Sequence, residues 1–523
     1  MVSAAQQACR KRVRYGSTLA LTKFRRDRSM LRDHRGPSAL GGALKLAIRR
    51  RGLRDGYLLS VHSAGVQGLV QAACTGAPRL ILAEFRNNSD CDSQMRLNDM
   101  TDEVTDLPTG HPPIVFDRDS GVDVTTYSDV EEMLRSRSFG MEGTYEDSLE
   151  FVGGTLIAID GRAHLNRRKA MARMLSPKMP WGAEGKAFDK IFSHYLRMTK
   201  EQAEPGATEV RFDLFDFAAR VYWRLIAGMI GIDQIETEEQ IERFRTVSTR
   251  LVMGIVLDYV PREHRDRMLQ EARDAVTEIR REIYLPSFQR RLELVRDADG
   301  DVEKKSALPG DLITSMIAVQ DDLDNIDDTA IFREMTELLA ASINNPVIFA
   351  VYGLDDVLSW LEMHPEDREH LQNREFLNRC IAETLRLHRV TRQYLVRLAK
   401  EDAGLESGRE ISGGEWVKAW VGKADRDATV FGDEADKYNP YRVPLVEKVP
   451  GFGLAFGGGP HMCLGRPILI WEQGDNDAQG LLIKMLRLQL EGGMRPDPDG
   501  VQKVERTMEG GERYVRYDVV MPL

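Results

Sequence analysis

Five cysteines in 523 residues, none in a paired spacing, are too few and too scattered for a disulfide framework. They point to a reducing compartment, and the cytoplasm is the expected location. No run of eighteen apolar residues occurs, so no transmembrane helix is expected. From about residue 105 onward there is no internal repeat and no low-complexity linker. No stretch has the cysteine density of an iron–sulfur protein or the pattern of a flavin-binding unit. Positive charge is also scarce over most of the chain: residues 95–523 hold 55 Lys and Arg against 76 Asp and Glu. Such a body is not a nucleic-acid binder. With 42% hydrophobic and 29% charged residues, the composition is that of a globular protein.

The first 94 residues invert that balance, with 17 Lys and Arg against 6 Asp and Glu. Three readings fit this basic segment. A nucleic-acid arm suits the charge, but interleaved aromatics and a binding motif are lacking. A targeting peptide suits the arginines, but the segment is long for one. The third reading, which we favour, starts translation at Met95 or Met100, where an acidic polar lead-in begins. Residues 1–94 are then a disordered or untranslated extension, and 95–523 form one domain.

Within that domain most segments repeat apolar residues at helical spacing, as over 211–232, 237–256 and 264–297. Strand-like alternation is confined to 114–128, 394–400, 410–421 and 501–522. The expected class is therefore mainly α with small β-sheets (α+β). The longest helix is predicted from Asp327-Asp328, good N-cap residues, to about Leu361, before His364-Pro365. Its length is roughly 50 Å at the helical rise, and its apolar middle demands burial.

The most informative stretch is Phe456-Gly457-Gly458-Gly459-Pro460-His461-Met462-Cys463-Leu464-Gly465. Its glycines allow tight turns and close backbone approach. One cysteine emerges just before a predicted helix N-terminus, a position that favours the thiolate. A single cysteine cannot hold zinc or an iron–sulfur cluster by itself, but it can be the sole protein ligand of a haem iron.

This stretch resembles the haem-binding loop of the cytochrome P-450 family, with Phe456, Gly459, His461, Cys463 and Gly465 in register. Two further segments carry the resemblance. Glu383 and Arg386, three apart on a predicted helix, match the family's Glu-x-x-Arg pair, and residues 424–442 match the meander that follows. Lys437 stands where a third-partner arginine is usual. Lysine cannot make the forked contact, so Arg442 is the expected substitute.

The resemblance implies haem b (heme, iron protoporphyrin IX) ligated by Cys463. It implies propionate contacts from His164, Arg168, Arg397 and His461, and a central helix over the distal face. It further implies a monooxygenase that inserts one atom of dioxygen into a small apolar substrate. Electrons would come from a separate ferredoxin and its reductase, and the enzyme would be a monomer. The central helix departs from the family pattern. Ala341 and Ser342 keep the small residues that leave room for dioxygen, but Asn344 and Asn345 replace the usual acid and alcohol. Amides order water without releasing a proton. That leaves open a peroxide-driven oxygenase, an isomerase or a dehydratase as the alternative activity. Pro346 is expected to kink the helix there. Substrate-facing loops would fall near 174–190, 250–262, 338–346 and 390–395.

Overall fold

The computed structural model describes residues 121–523, apart from 146, 234, 258–261, 321–325, 391–392, 471–478 and 507–511. The expectations for residues 1–94, for a start at Met95 or Met100, and for the strand over 114–120 lie outside the described residues.

In chain order the elements that matter here are β1 (Val122–Val124), α1 (Tyr127–Arg135), β2 (Phe139–Gly140), α2 (Gly161–Met171), α3 (Ala187–Glu201) and β3 (Glu209–Asp213). There follow α4 (Leu214–Ile230), α5 (Glu238–Met253), α6 (Arg262–Ile279), α7 (Leu285–Asp297), α8 (Asp328–Ser342), α9 (Asn344–Met363) and α10 (Arg374–Leu387). The last part contains β4 (Leu395–Ala399), β5 (Ala403–Gly404), β6 (Glu410–Ile411) and β7 (Trp416–Ala419). After these come α11 (Arg466–Leu469), α12 (Leu481–Glu491), β8 (Arg495–Pro496), β9 (Gln502–Arg506) and β10 (Glu512–Pro522).

The expected helix-rich α+β fold is present, with three corrections to its boundaries. The segment read as one helix over 211–232 begins as β3, whose Val210 and Phe212 pair with β10, and Asp213 then caps α4 by accepting from the Phe215 amide at 2.9 Å. The segment 264–297 is two helices, α6 and α7, joined through a π turn at Arg280–Tyr284, with Pro286 opening the second. The predicted central helix is also two helices, broken at Ile343. Its ends are as expected: the Asp327 carboxylate accepts from the Ala330 amide at 2.8 Å, and His364 closes α9.

One sheet has the order β1-β7-β4-β2, with β1 parallel to β7 and the other pairs antiparallel. The other has the order β3-β10-β8, and β9 adds to β10 with a bulge near Arg516. The chain end is fastened, since the Leu523 amide donates to the Thr208 carbonyl at 3.1 Å.

The largest apolar core lies among α2–α5 and the central helix pair, with Leu339, Ile343, Val347 and Val351 buried in it. Together α8 and α9 are long and apolar enough to cross a membrane by length and composition, but 61% of their most apolar window is buried inside the protein. This pair is a core element.

Candidate active site

The cysteine loop is built backward from a buried ion network. Glu383 on α10 receives a forked contact from Arg386, at 2.8 and 2.7 Å, because residues three apart share a helix face. Arg442 supplies the third arm at 2.9 Å, and the Asn439 amide adds a bond to the same oxygen at 3.1 Å. Lys437 gives only its backbone: its carbonyl accepts from Arg442 at 2.8 Å, while its ammonium pairs with Glu434 at the surface. The substitution expected from the fork argument is the one the structure makes.

Arg386 then donates to the carbonyls of Asp425 and Ala435. The Asp425 side chain accepts from the Leu454 amide at 2.7 Å, and Arg389 holds the Ala455 carbonyl at 3.0 Å. Burial pushes the Asp425 carboxyl up to about 7, against the Leu454 bond and the nearby arginines. Two residues further on, Phe456 packs edge-on against Phe452 at 5.4 Å, and its carbonyl accepts from the Cys463 amide at 2.8 Å. A continuous line of bonds therefore connects Glu383 to the backbone of Cys463.

Gly459 is required by a neighbour. Its φ is +62°, and a Cβ there would lie 2.2 Å from the Leu134 carbonyl oxygen at the end of α1. At this glycine the close approach is thus to α1. Gly465 leaves the sulfur side open: a Cβ would sit 3.8 Å from Cys463 Sγ.

The thiol itself is accessible to water, yet burial is the main influence on its titration and pushes it up. The amides of Gly465 and Arg466 and the Arg168 charge pull the other way without winning. The expected preference for the thiolate is thus corrected for the protein alone. The helix that follows, α11, has four residues, and its dipole is too small to offset desolvation.

Basic side chains gather beside this sulfur. Arg168 on α2 donates to the Met462 carbonyl at 2.8 Å. His164, one turn earlier, is buried, with its ring 4.1 Å from that of His461, and its Nε2 has no hydrogen-bond partner. Burial, and then the charges of His461 and Arg168, lower His164 to about 4. Arg397 on β4 is buried and donates to the Val396 carbonyl at 2.8 Å. Among the described residues no carboxylate forms an ion pair with it.

His461 differs from its expected role in one respect. Its Nε2 meets Asp160 at 2.9 Å, and the same carboxylate accepts from the Met141 amide at 2.8 Å. Burial raises Asp160, but these bonds outweigh it and hold the carboxyl below its usual value.

Above the site the central helix is opened at Ile343. The Ser342 hydroxyl donates back to the Leu338 carbonyl, and Asn345 Nδ2 donates to the Ala341 carbonyl at 3.0 Å. Pro346 has no amide to offer Ser342, so the ladder breaks at the place expected. Ala341 and Asn344 are exposed, Leu338, Ala340, Ser342 and Asn345 are half-buried, and Leu339 and Ile343 are buried. Leu339 and Ile343 share one apolar cluster with Leu464 and Ile468, which follow the cysteine.

The profile of the cytochrome P-450 family matches residues 361–473, the span from α9 through the cysteine loop. The family profile, the curated relatives and the solved structures all point to a cytochrome P-450 of the bacterial type. Among curated P-450 relatives, the putative cytochrome P-450 YjiB of Bacillus subtilis is 23% identical over 362 residues, covering 68% of this chain and 80% of that protein. Cytochrome P-450(BM-1) of Priestia megaterium is 27% identical over 177 residues, 32% of this chain and 38% of that one. Among solved P-450 structures, P-450 BioI bound to an acyl carrier protein carrying hexadec-9Z-enoic acid gives a TM-score of 0.56 at 18% identity, covering 77% of this chain and 92% of that one. CYP109E1 of Bacillus megaterium with testosterone gives 0.55 at 22% identity, covering 77% and 93%.

The family's cofactor is haem b, and the residues fit it. An accessible cysteine sulfur flanked by backbone amides would suit a ligand to its iron. An unpartnered His164 nitrogen and a buried Arg397 that forms no ion pair among the described residues suit two propionates, because such groups are costly to bury unpaired. Sequence reasoning missed Asp160, Asp425 and Arg389. Asp160 stands at the N-cap of α2, but its side chain makes no cap bond. It also passed over Glu334 and Glu337, two acids inside an apolar helix, which was the available signal.

Proposed function

We propose that this P-450 is a monooxygenase that inserts one atom of dioxygen into a small apolar organic substrate. Its electrons come from a separate protein, a ferredoxin served by its reductase. The observation that carries the reading is the accessible Cys463 sulfur, flanked by Gly465 and Arg466 amides, with Arg168 acting on it and the unpartnered His164 one turn away on the same helix. Bound there, haem would supply the redox centre, and Cys463 would supply a thiolate ligand that favours oxygen activation.

The chain's own residues do the rest. Cys463 ligates, and His164, Arg168, Arg397 and His461 neutralise and orient the propionates. Phe456, Gly459 and the network from Glu383 and Arg386 fix the loop that presents the sulfur. Ala341 and Ser342 leave space beneath the helix break, and Asn344 and Asn345 order water there. The apolar cluster around Leu339 and Ile343 excludes bulk water, which suits a hydrocarbon-rich substrate. Luteothin monooxygenase of Streptomyces thioluteus, 30% identical over 32% of this chain and 39% of its own, supports an oxygenase role. A cytoplasmic location fits the cysteine content, and a monomer is the state expected from the family resemblance.

A second reading is favoured by one observation: the amides at 344 and 345 stand where a proton source is usual. It is a peroxide-driven oxygenase, or an isomerase or dehydratase. Turnover with reductase, ferredoxin and oxygen, compared with peroxide alone, separates the two. Product only with peroxide, or product without any oxidant, overturns the first reading.

A further inference from the structure

An aspartate at a helix N-cap ordinarily accepts from the first amides of that helix. Asp160, at the head of α2, does not, and both of its oxygens are spent elsewhere. Oδ2 accepts from the Met141 amide at 2.8 Å, immediately after β2. Oδ1 meets His461 Nε2 at 2.9 Å, on the turn Gly459–His461 that leads to Cys463. An ionised carboxylate only accepts, so the His461 ring is the donor. The Asp160 backbone takes part as well: its carbonyl accepts from the His164 amide at 3.4 Å. One residue is thus bonded to both histidines of the site, and to the end of β2.

The surroundings are shaped for this carboxylate. Gly140 is buried at the end of β2, where it pairs with Leu398 of β4. A Cβ at Gly140 would lie 2.7 Å from Asp160 Oδ2 and 3.1 Å from the Lys400 stem, so the glycine leaves the oxygen its place. The Lys400 charge acts on Asp160, and Asp160 in turn acts on buried Arg397. Asp160 and His461 are both half-buried, which makes their charge-assisted bond stronger than a surface ion pair. That bond fixes the His461 ring. With Nε2 spent on Asp160, Nδ1 is the nitrogen left for a further partner. The ring centroid lies 4.1 Å from that of His164, whose buried Nε2 has no partner.

We propose that Asp160 is a positioning residue for the cofactor, setting the place and rotation of the His461 ring against His164 before haem binds. This rests on the haem-binding reading above. Asp160 does not touch the propionates; it acts through His461. Without the carboxylate the His461 ring keeps its contact with His164 but loses the bond that fixes its rotation. The ring must then be ordered when haem enters, and ordering a side chain on binding weakens binding. Partners behind a ligating group have this effect in metal sites, where they hold the ring of the ligand. Here the same device stands behind a propionate contact, and it reaches the cysteine loop from 301 positions away.

The test is a double-mutant cycle on the haem-loaded full chain: wild type, Asp160→Ala, His461→Ala and the two together. Haem loss is followed as transfer to excess haem-free myoglobin. Asp160→Ala should release haem about tenfold faster than wild type. In the His461→Ala background the same substitution should change the rate by less than about twofold. Loss of the Met141 bond is common to both backgrounds and cancels in the comparison. Propionate bending bands in resonance Raman spectra should shift in each single variant and no further in the pair. Equal acceleration in both backgrounds, no acceleration in either, or unshifted bands in Asp160→Ala overturns the proposal. Should Asp160→Ala not fold, Asp160→Asn is held to the same readings; it keeps an acceptor for the Met141 amide and sets an amide N–H against His461 Nε2. Wild type that takes up no haem overturns the haem reading itself, and the proposal with it.

Discussion

Cys463 and His164 act through one atom each, and substitutions there have sharp outcomes. Cys463→Ser removes the soft ligand, so the reduced, carbon-monoxide-bound absorption band of a haem thiolate should vanish while the far-ultraviolet dichroism stays. His164 ties stability to pH. In the unfolded chain its ordinary value is near 6.5, and in the fold burial holds it near 4. Between those values the unfolded state binds more protons, so stability falls as pH drops through about 6.5 toward 4. In protein stripped of haem, the melting temperature should decline over that window, and His164→Gln should flatten the decline. An unchanged slope would mean that other groups govern it. His164, Arg168 and Arg397 were legible in the sequence only through resemblance. The tilted ring contact of His164 with His461, and the hold of Asp160 on His461, join residues about 300 positions apart, which no local pattern reveals.

Elements add what single residues cannot. Arg442, not Lys437, closes the clamp on Glu383, and both Glu383 and Arg386 are buried. Arg442→Ala would leave Glu383 with one cation instead of two, and Glu383→Ala would strand buried Arg386. The second should cost more, about 3–5 kcal/mol in denaturant unfolding, because it leaves an uncompensated buried charge. Equal losses would show that the network is not centred on Glu383. At the helix break, Asn345→Ala frees the Ala341 carbonyl, with an expected loss of about 1 kcal/mol by thermal unfolding. Helix ends were readable from caps such as Asp327 and stops such as Pro365. The start of α4 was not, because Val210 and Phe212 carry apolar periodicity into a strand that only β10 explains. The split at Arg280–Tyr284 likewise followed no breaker before Pro286.

For the whole molecule, the acidic body and the basic lead segment make a simple contrast. We propose that protein expressed from Met95 keeps the haem spectrum and melting temperature of the full chain. A drop of several degrees on truncation would assign the first 94 residues a structural part. The α+β class was readable because helical spacing dominates the chain, while pairing across the sheets was not. The parallel contact of β1 with β7 joins residues almost 300 positions apart.

The fastened chain end has a practical meaning. Leu523 is bonded to Thr208, and β10 runs to Pro522 in full pairing with β3, so the last residues have no slack. Anything fused after Leu523 begins flush against a sheet. An electron-donating domain joined there would start its path at a fixed point and direction. Its reach to the sulfur side would then be set by the added tether alone, which makes tether length the quantity to vary in a self-sufficient fusion.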